Sequence, residues 1–275
     1  MEKILFLLDE VRESKPLVHH ITNYVTVTNC ANATLAICGS PIMADDIKEV
    51  EEIVSISKAL VINIGTLNER TVKSMLVAGK KANKMGIPVI FDPVGAGASK
   101  LRNNAIAKLL SNVRMSVIRG NISEIRHIAG DTTRIEGVNA SDSDLIRKLH
   151  DNINTVKTCS RKYGCIASIS GAVDIITDGD KIFTVANGHS VMSKITGTGC
   201  MLTSLIASFC GVTTDYLMAT VAAVASMGVA GEIAFEKAGN FGTGTFNAAL
   251  LDAISMLSAD ILKNRVKLDE IQDRL

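Results

Sequence analysis

Short apolar runs of strand length, spaced by helical segments, are the strongest constraint on this chain. They are LVINI at 60–64, IPVIF at 87–91, MSVI at 115–118 and CIASIS at 165–170. A strand with one wet face alternates apolar and polar residues. A run that is apolar throughout belongs to a strand covered on both faces, as in a parallel sheet flanked by helices. Helical patterns at 68–85, 103–110 and 141–161 fall between the runs, the last with Ser141 as its N-cap. Earlier come a helix at 4–12, a strand at 17–19 and a long Thr- and Ala-rich helix at 23–38. Strands at 173–177 and 181–185 flank Asp178-Gly179-Asp180, a hairpin signal, and the chain is mostly helical from 199 onward. The alternation predicts an α/β fold of three layers with a mostly parallel central sheet. No repeat and no linker rich in Pro, Gly or Ser interrupts it, so residues 1–275 read as one domain.

Composition removes several classes of function. Lys and Arg number 29 against 28 Asp and Glu, a net charge of +1, which leaves no surplus for a nucleic-acid backbone. Aromatic residues are 4% with no Trp, a poor basis for a platform of stacked rings. No run reaches the roughly 18 uninterrupted apolar residues of a membrane span. The most apolar stretch, 216–234, is rich in Ala and Gly and carries Glu232, so it reads as a buried helix. The opening MEKILFLLDEVRESK is acidic and has no small-residue cleavage site, unlike a signal peptide. Cys30, Cys38, Cys159, Cys165, Cys200 and Cys210 form no CxxC pair. They read as reduced thiols of a cytoplasmic protein, most of them small core residues.

In open parallel sheets, ligands collect beyond the C-terminal ends of the strands. Here those ends carry Gly65-Thr66, then Asp92 with Pro93, Val94, Gly95, Ala96 and Gly97. Arg119 follows with Gly120, Asn121 and Glu124, and then Ser170-Gly171. The most pointed feature is TGTGCM at 196–201, two glycines leading into an apolar helix. Bare amides at a helix start suit a phosphate or oxyanion, although the same glycines can simply solve a packing problem. It is no dinucleotide fingerprint, because the third glycine position falls on Leu202. Gly95-Ala96-Gly97 fails likewise at Lys100, and there is no GxxxxGK[ST].

Cys200 at this helix start is expected to have an acidified thiol and to serve as base, nucleophile or plain buried residue. Asp92 and Glu124 are the best carboxylate pair for Mg²⁺, which takes one or two carboxylates plus water and phosphates. Otherwise Asp92 caps the turn at Pro93, and Glu124 is a first-turn charge in a helix capped by Asn121. Arg119 and Lys194 each suit a phosphate or a surface acid. The five histidines have no zinc spacing and read as surface or core residues. GTGTF at 242–246 is a second glycine-rich turn.

The strings PLVHHITNYVT, SPIMADD, GTLN, PVIFDPVGAGAS, RGNISEI, TGTGCMLTSLIASF and GTGTFNAALLDAI occur in this order between about residues 17 and 257. In this the chain resembles the hydroxyethylthiazole kinases of the ribokinase-like superfamily. The resemblance implies a ribokinase-like α/β/α fold without a separate lid domain. It implies transfer of the γ-phosphoryl of ATP, with Mg²⁺, to the hydroxyl of 5-(2-hydroxyethyl)-4-methylthiazole. It also implies a homotrimer with active sites between subunits. Asn23, Met43, Gly65, Gly197 and Cys200 would meet the thiazole alcohol. Arg119, Ser170, Gly171, Thr196 and Gly199 would meet ATP, and Asp92 and Glu124 would organise Mg²⁺. Gly197, Gly199 and Cys200 would form the catalytic group, with Cys200 where most of the superfamily has the Asp of its GxGD string. His20 stands where the family more often has Asn, and Ser170 where Thr is commoner. Two rivals share the fold: an ATP-dependent dehydratase of hydrated nicotinamide nucleotides and a hydroxymethylpyrimidine kinase. ITNYV and PIM argue against both. A nucleotide sensor without turnover is disfavoured by the intact Asp92 and Glu124.

Overall fold

The computed structural model describes residues 1–130 and 142–271, so the expected N-cap at Ser141 lies outside it. The strands are β1 (Leu17–Ile21), β2 (Ser40–Met43), β3 (Ala59–Asn63), β4 (Val89–Asp92), β5 (Val117–Asn121), β6 (Ile166–Ser170), β7 (Asp174–Thr177), β8 (Ile182–Val185) and β9 (Leu268–Ile271). The helices are α1 (Glu2–Ser14), α2 (Val27–Ala36), α3 (Val50–Ile56), α4 (Glu69–Met85), α5 (Lys100–Asn112), α6 (Ile122–Ala129) and α7 (Asp142–Tyr163). After them come α8 (Thr198–Cys210), α9 (Tyr216–Ala238), α10 (Thr243–Ser255) and α11 (Ala259–Arg265), with a short 3₁₀ turn at Ser190–Lys194.

All the described strands join one sheet in the order β2-β1-β3-β4-β5-β6-β7-β8-β9. Pairing is parallel from β2 through β6 and antiparallel from β6 to β9. The period-two alternation of strand side chains divides the apolar runs between two cores. Val61, Ile90, Val117 and Ile176 face α1, α2, α8, α9 and α10. Leu60, Ile62, Val89, Phe91, Ile118 and Ile175 face α3, α4, α5, α6 and α7. This is the three-layer α/β/α arrangement expected from the apolar runs. Truncating a fully buried strand residue such as Ile62 to Ala would cost about 2–5 kcal/mol.

Local chemistry sets the helix ends. Asn68 and Thr71 close a capping box on α4, and Gly86 ends that helix at φ 72°. Asn121 and Glu124 do the same for α6. Helix α9 is long and apolar enough to cross a membrane, yet it is largely buried, packing against α8, α10 and α1. Its Ala, Gly and Ser residues let those neighbours approach closely. The hairpin at 178–180 forms as expected, with the Asp178 carboxylate accepting from the amides of Asp180 and Lys181.

Several expected boundaries move. The helix expected at 23–38 begins only at Val27, because Asn23 Oδ1 accepts from the amide and hydroxyl of Thr26 and holds residues 23–26 in a turn. The strand expected at 115–118 runs Val117–Asn121, which places Arg119 inside β5 rather than beyond it. The edge strands β2 and β9 had no apolar run to announce them, being half-buried at most.

Candidate active site

The chain leaves β1 to one side, for β2, and returns to the other side as β3. The C-terminal ends of β1 and β3 therefore flank the point where strand order reverses, where open α/β sheets leave a crevice. Four side chains converge there. Asn23, just past β1, donates to Asn63 Oδ1 at 3.1 Å and toward Cys200 Sγ at 3.4 Å. Asn63, the last residue of β3, donates to Asp92 Oδ2 at 3.0 Å and to Cys200 Sγ at 3.2 Å. Asp92, the last residue of β4, also accepts from Thr203 Oγ1 at 2.8 Å. Gly65 N donates to Asn63 Oδ1 at 2.9 Å, and a Cβ on Gly65 would come within 2.9 Å of Asn23.

Helix α8 packs on β3, β4 and β1 and points its first turn into this crevice. Its first backbone bond runs from Met201 N to Gly197 O, so the amides of Thr198, Gly199 and Cys200 precede the ladder and remain available to an anion. Gly197 sits at φ 90° with Thr26 only 2.7 Å from where a Cβ would be. A Cβ on Gly199 would lie 2.6 Å from Arg119 Nη1, so glycine lets the guanidinium rest on the helix start. Arg119 Nη2 donates to Ser170 Oγ at 2.5 Å, and Nη1 is 3.8 Å from Asp92 Oδ2. Arg119, Ser170, Gly171, Thr198 and Gly199 line one end of a cleft of about 540 Å³. Leu202, Val224 and Met227 give that cleft an apolar wall. One polar end and one apolar wall suit a nucleotide.

Asp92 is 1% exposed, and burial raises its pKa to about 6 despite the pull of Arg119. Its Oδ1 has no hydrogen-bond partner among the described residues, and nearby Glu124 adds repulsion. Glu124 accepts from the Gly95 amide at 2.9 Å and the Asn121 amide at 2.8 Å, so it also holds the loop after β4. Among the described residues no three His, Cys, Asp or Glu gather into a cage. An orphaned buried carboxylate oxygen beside a second carboxylate fits Mg²⁺, which relies on phosphates and water for its remaining ligands.

Cys200 departs from expectation. Its thiol is pushed up rather than acidified, first by burial and then by the Asp92 carboxylate, and the donors Thr26, Asn63 and Asn23 only partly offset this. Cys30, Cys159, Cys165 and Cys210 are buried as expected, and Cys38 is half-buried. His19 and His20 are core residues, with His20 Nε2 3.1 Å from Ser204 Oγ.

Other predicted residues lie further out. Met43 ends β2, 36% exposed, and lines a second hollow of about 320 Å³ with His20, Thr22, Tyr24 and Thr66. Thr196 is exposed and does not line the nucleotide-sized cleft, whereas Thr198 does. Lys194 is exposed on the 3₁₀ turn, and Gly242 caps α10 with open space around it. Asn63, Thr203 and Arg102 had not been singled out. Arg102 ties the loops after β3 and β4 through the carbonyls of Ile64, Gly65 and Val94. The one available signal was Asn63 itself, a polar residue inside the apolar run at 60–64.

The hydroxyethylthiazole kinase family model matches residues 8–260. Hydroxyethylthiazole kinase of Ruminiclostridium cellulolyticum is 54% identical over 270 residues, covering 98% of each chain. The solved structure of hydroxyethylthiazole kinase from Pyrococcus horikoshii superposes with TM-score 0.90 at 35% identity, over 99% of this chain and 100% of that one. A ribokinase-like superfamily protein from Enterococcus faecalis shares the fold at TM-score 0.59 and 14% identity, over 92% of this chain and 95% of that one. With its ribokinase-like fold and a match along nearly its whole length, the chain belongs to the hydroxyethylthiazole kinase family.

Proposed function

We propose that this chain, acting as one domain, transfers the γ-phosphoryl of ATP to the hydroxyl of a hydroxyethyl-methylthiazole. The observation that carries the reading is the seat of Arg119 on Gly199, beside the open amides of α8 and one residue from Cys200. The cleft holding Arg119, Ser170, Gly171 and Gly199 takes ATP with its phosphates toward α8. The thiazole alcohol lies across the switch-point crevice, among Asn23, Gly65, Gly197 and Cys200, with Met43 at its outer edge.

Phosphoryl transfer passes through a loose transition state, so positioning and charge stabilisation do most of the work. The amides of Thr198, Gly199 and Cys200 and the Arg119 guanidinium hold the migrating group. Mg²⁺ would be held by Asp92 and Glu124 and would supply charge neutralisation at the phosphates. Cys200 takes the hydroxyl proton late, once bonding to phosphorus has acidified it. Only the thiolate form can accept that proton, and the raised pKa makes this form scarcer but more basic.

The active unit in this reading is a cytosolic homotrimer. Tyr24, Val25, Met43 and Ile47, exposed apolar residues around the ends of β1 and β2, support a neighbouring subunit that closes the thiazole pocket. Light scattering on the purified protein checks the trimer. A coupled ADP-release assay with thiazole alcohol, pyrimidine alcohol and no acceptor tests the activity. ADP release stimulated by the pyrimidine alcohol alone, or equally without acceptor, refutes it.

A further inference from the structure

One face of α9 carries Gly228, Gly231, Glu232 and Phe235, spaced i, i+3, i+4 and i+7. The segment from Asn187 to Met192 is seated on that face. A Cβ on Gly228 would come within 2.7 Å of Asn187 Cβ, and one on Gly231 would run into the Met192 sulfur. Glu232 Oε1 accepts from Asn187 Nδ2 and Gly188 N at 3.2 Å each, and from Lys267 Nζ at 2.8 Å. The His189 ring stacks on Phe235, with centroids 3.5 Å apart and planes 14° from parallel. The seated residues Asn187, Gly188, His189 and Met192 line the same cleft as Arg119, together with Val224 and Met227.

The tautomer of His189 follows from its cap. Nδ1 accepts from the Val191 amide at 3.2 Å, so in the neutral ring Nε2 carries the proton. Nε2 has no protein partner among the described residues, and the ring is only half-buried. A donor held by stacking, without a protein acceptor, beside an apolar wall, matches the edge of a nucleoside.

We propose that His189 is a nucleotide-binding residue, its Nε2–H donating to an acceptor on the nucleoside half of the bound nucleotide, with Phe235 as the residue that positions its ring. The proposal rests on the cleft taking a nucleotide, as in the function proposed above.

Calorimetric titration of ADP and AMP into the full chain tests it without turnover. His189→Ala is expected to raise Kd about three- to tenfold for both ligands, the worth of one hydrogen bond. His189→Gln, which keeps a donor near the Nε2 position, is expected to recover most of that loss. Phe235→Leu should weaken ADP binding in the wild-type background and add nothing on top of His189→Ala. KM for the thiazole alcohol should move less than twofold in every variant. An unchanged Kd for His189→Ala, a loss confined to ADP, or a Gln variant as weak as the Ala variant overturns the assignment of His189. Equal effects of Phe235→Leu in both backgrounds overturn the positioning role. Wild-type protein that binds ADP but leaves the thiazole alcohol untouched refutes the proposed function, while the Kd ratios still decide the role of His189. Wild-type protein that binds neither nucleotide refutes both.

Discussion

The side-chain amide of Asn63 donates to the sulfur of Cys200 at 3.2 Å, and the same nitrogen reaches Asp92 Oδ2 at 3.0 Å. One residue thus sets the spacing between the thiol and the buried carboxylate. Asn63→Ala should lower turnover about tenfold to a hundredfold, because a small misplacement in a reacting site is costly. It should also destabilise the protein by about 1.5–3 kcal/mol, the value of a hydrogen bond to a charged group. Steady-state kinetics and urea unfolding of the same variant read both effects, and wild-type turnover would remove Asn63 from the site.

Cys200→Ala should lower kcat about 10²- to 10⁴-fold, the usual contribution of a general base. ADP affinity should hold, since the sulfur does not line the nucleotide cleft. Full turnover without the sulfur would mean that positioning alone suffices. Loss of both turnover and ADP binding would point to damage at the start of α8.

Gly199→Ala places a methyl group where Arg119 Nη1 now sits, 2.6 Å from the new carbon. The guanidinium must leave Ser170 or Asp92, and KM for ATP should rise about tenfold or more, as when a charged hydrogen bond is lost. Arg119→Lys should produce a similar rise, because a point charge cannot reach both partners. Kinetics at varied ATP check both variants, and an unchanged KM in either would show that Arg119 does not meet the nucleotide.

Glu124 combines two structural bonds with a proposed metal role, one carboxylate oxygen accepting from the Gly95 amide and the other from the Asn121 amide. Glu124→Gln keeps one of these acceptors and faces the other amide with a donor, so stability should fall by about 1–3 kcal/mol. The Mg²⁺ concentration for half-maximal activity should rise several-fold, as it should for Asp92→Asn, and EDTA should abolish turnover. A magnesium titration that overlays the wild type would exclude both carboxylates as ligands.

His20 gives a pH signature. Burial lowers its pKa from 6.5 to about 4, so between those values the unfolded chain holds a proton that the folded one refuses. Stability is therefore lost as pH falls through that window. Asp92 and Asp174, each pushed up to about 6 mainly by burial, act in the opposite sense, but they are shared by any His20 variant and cancel in a comparison. His20→Asn should gain on the wild type by up to roughly 3 kcal/mol between pH 6.5 and 4, from the shift at about 1.4 kcal/mol per unit. Urea midpoints across that range measure the gap, and a constant difference would show that His20 does not titrate.

The layered fold was legible because mostly apolar strands have few ways to be buried, and the loop at 196–201 was legible because paired glycines before an apolar helix leave its first amides bare. Strand β2 was not, because SPIM at a sheet edge is half-wet and too short for a period. The relation of Asn63 to Cys200 was hidden for another reason: residues far apart in the chain meet only after the sheet places β3 under α8. The acidified thiol expected at Cys200 shows the limit of reading one local effect. The helix start is visible in sequence, but the burial of the thiol and the neighbouring Asp92 are supplied by tertiary structure.

Helix α8 offers its first turn to ligands and sinks Met201 through Cys210 entirely into the core. The cradle therefore cannot breathe on its own, since loosening it drags ten core residues toward water. Amide hydrogen exchange along this helix should keep pace with unfolding of the whole molecule, leaving the traffic of ligands in and out to the surrounding loops.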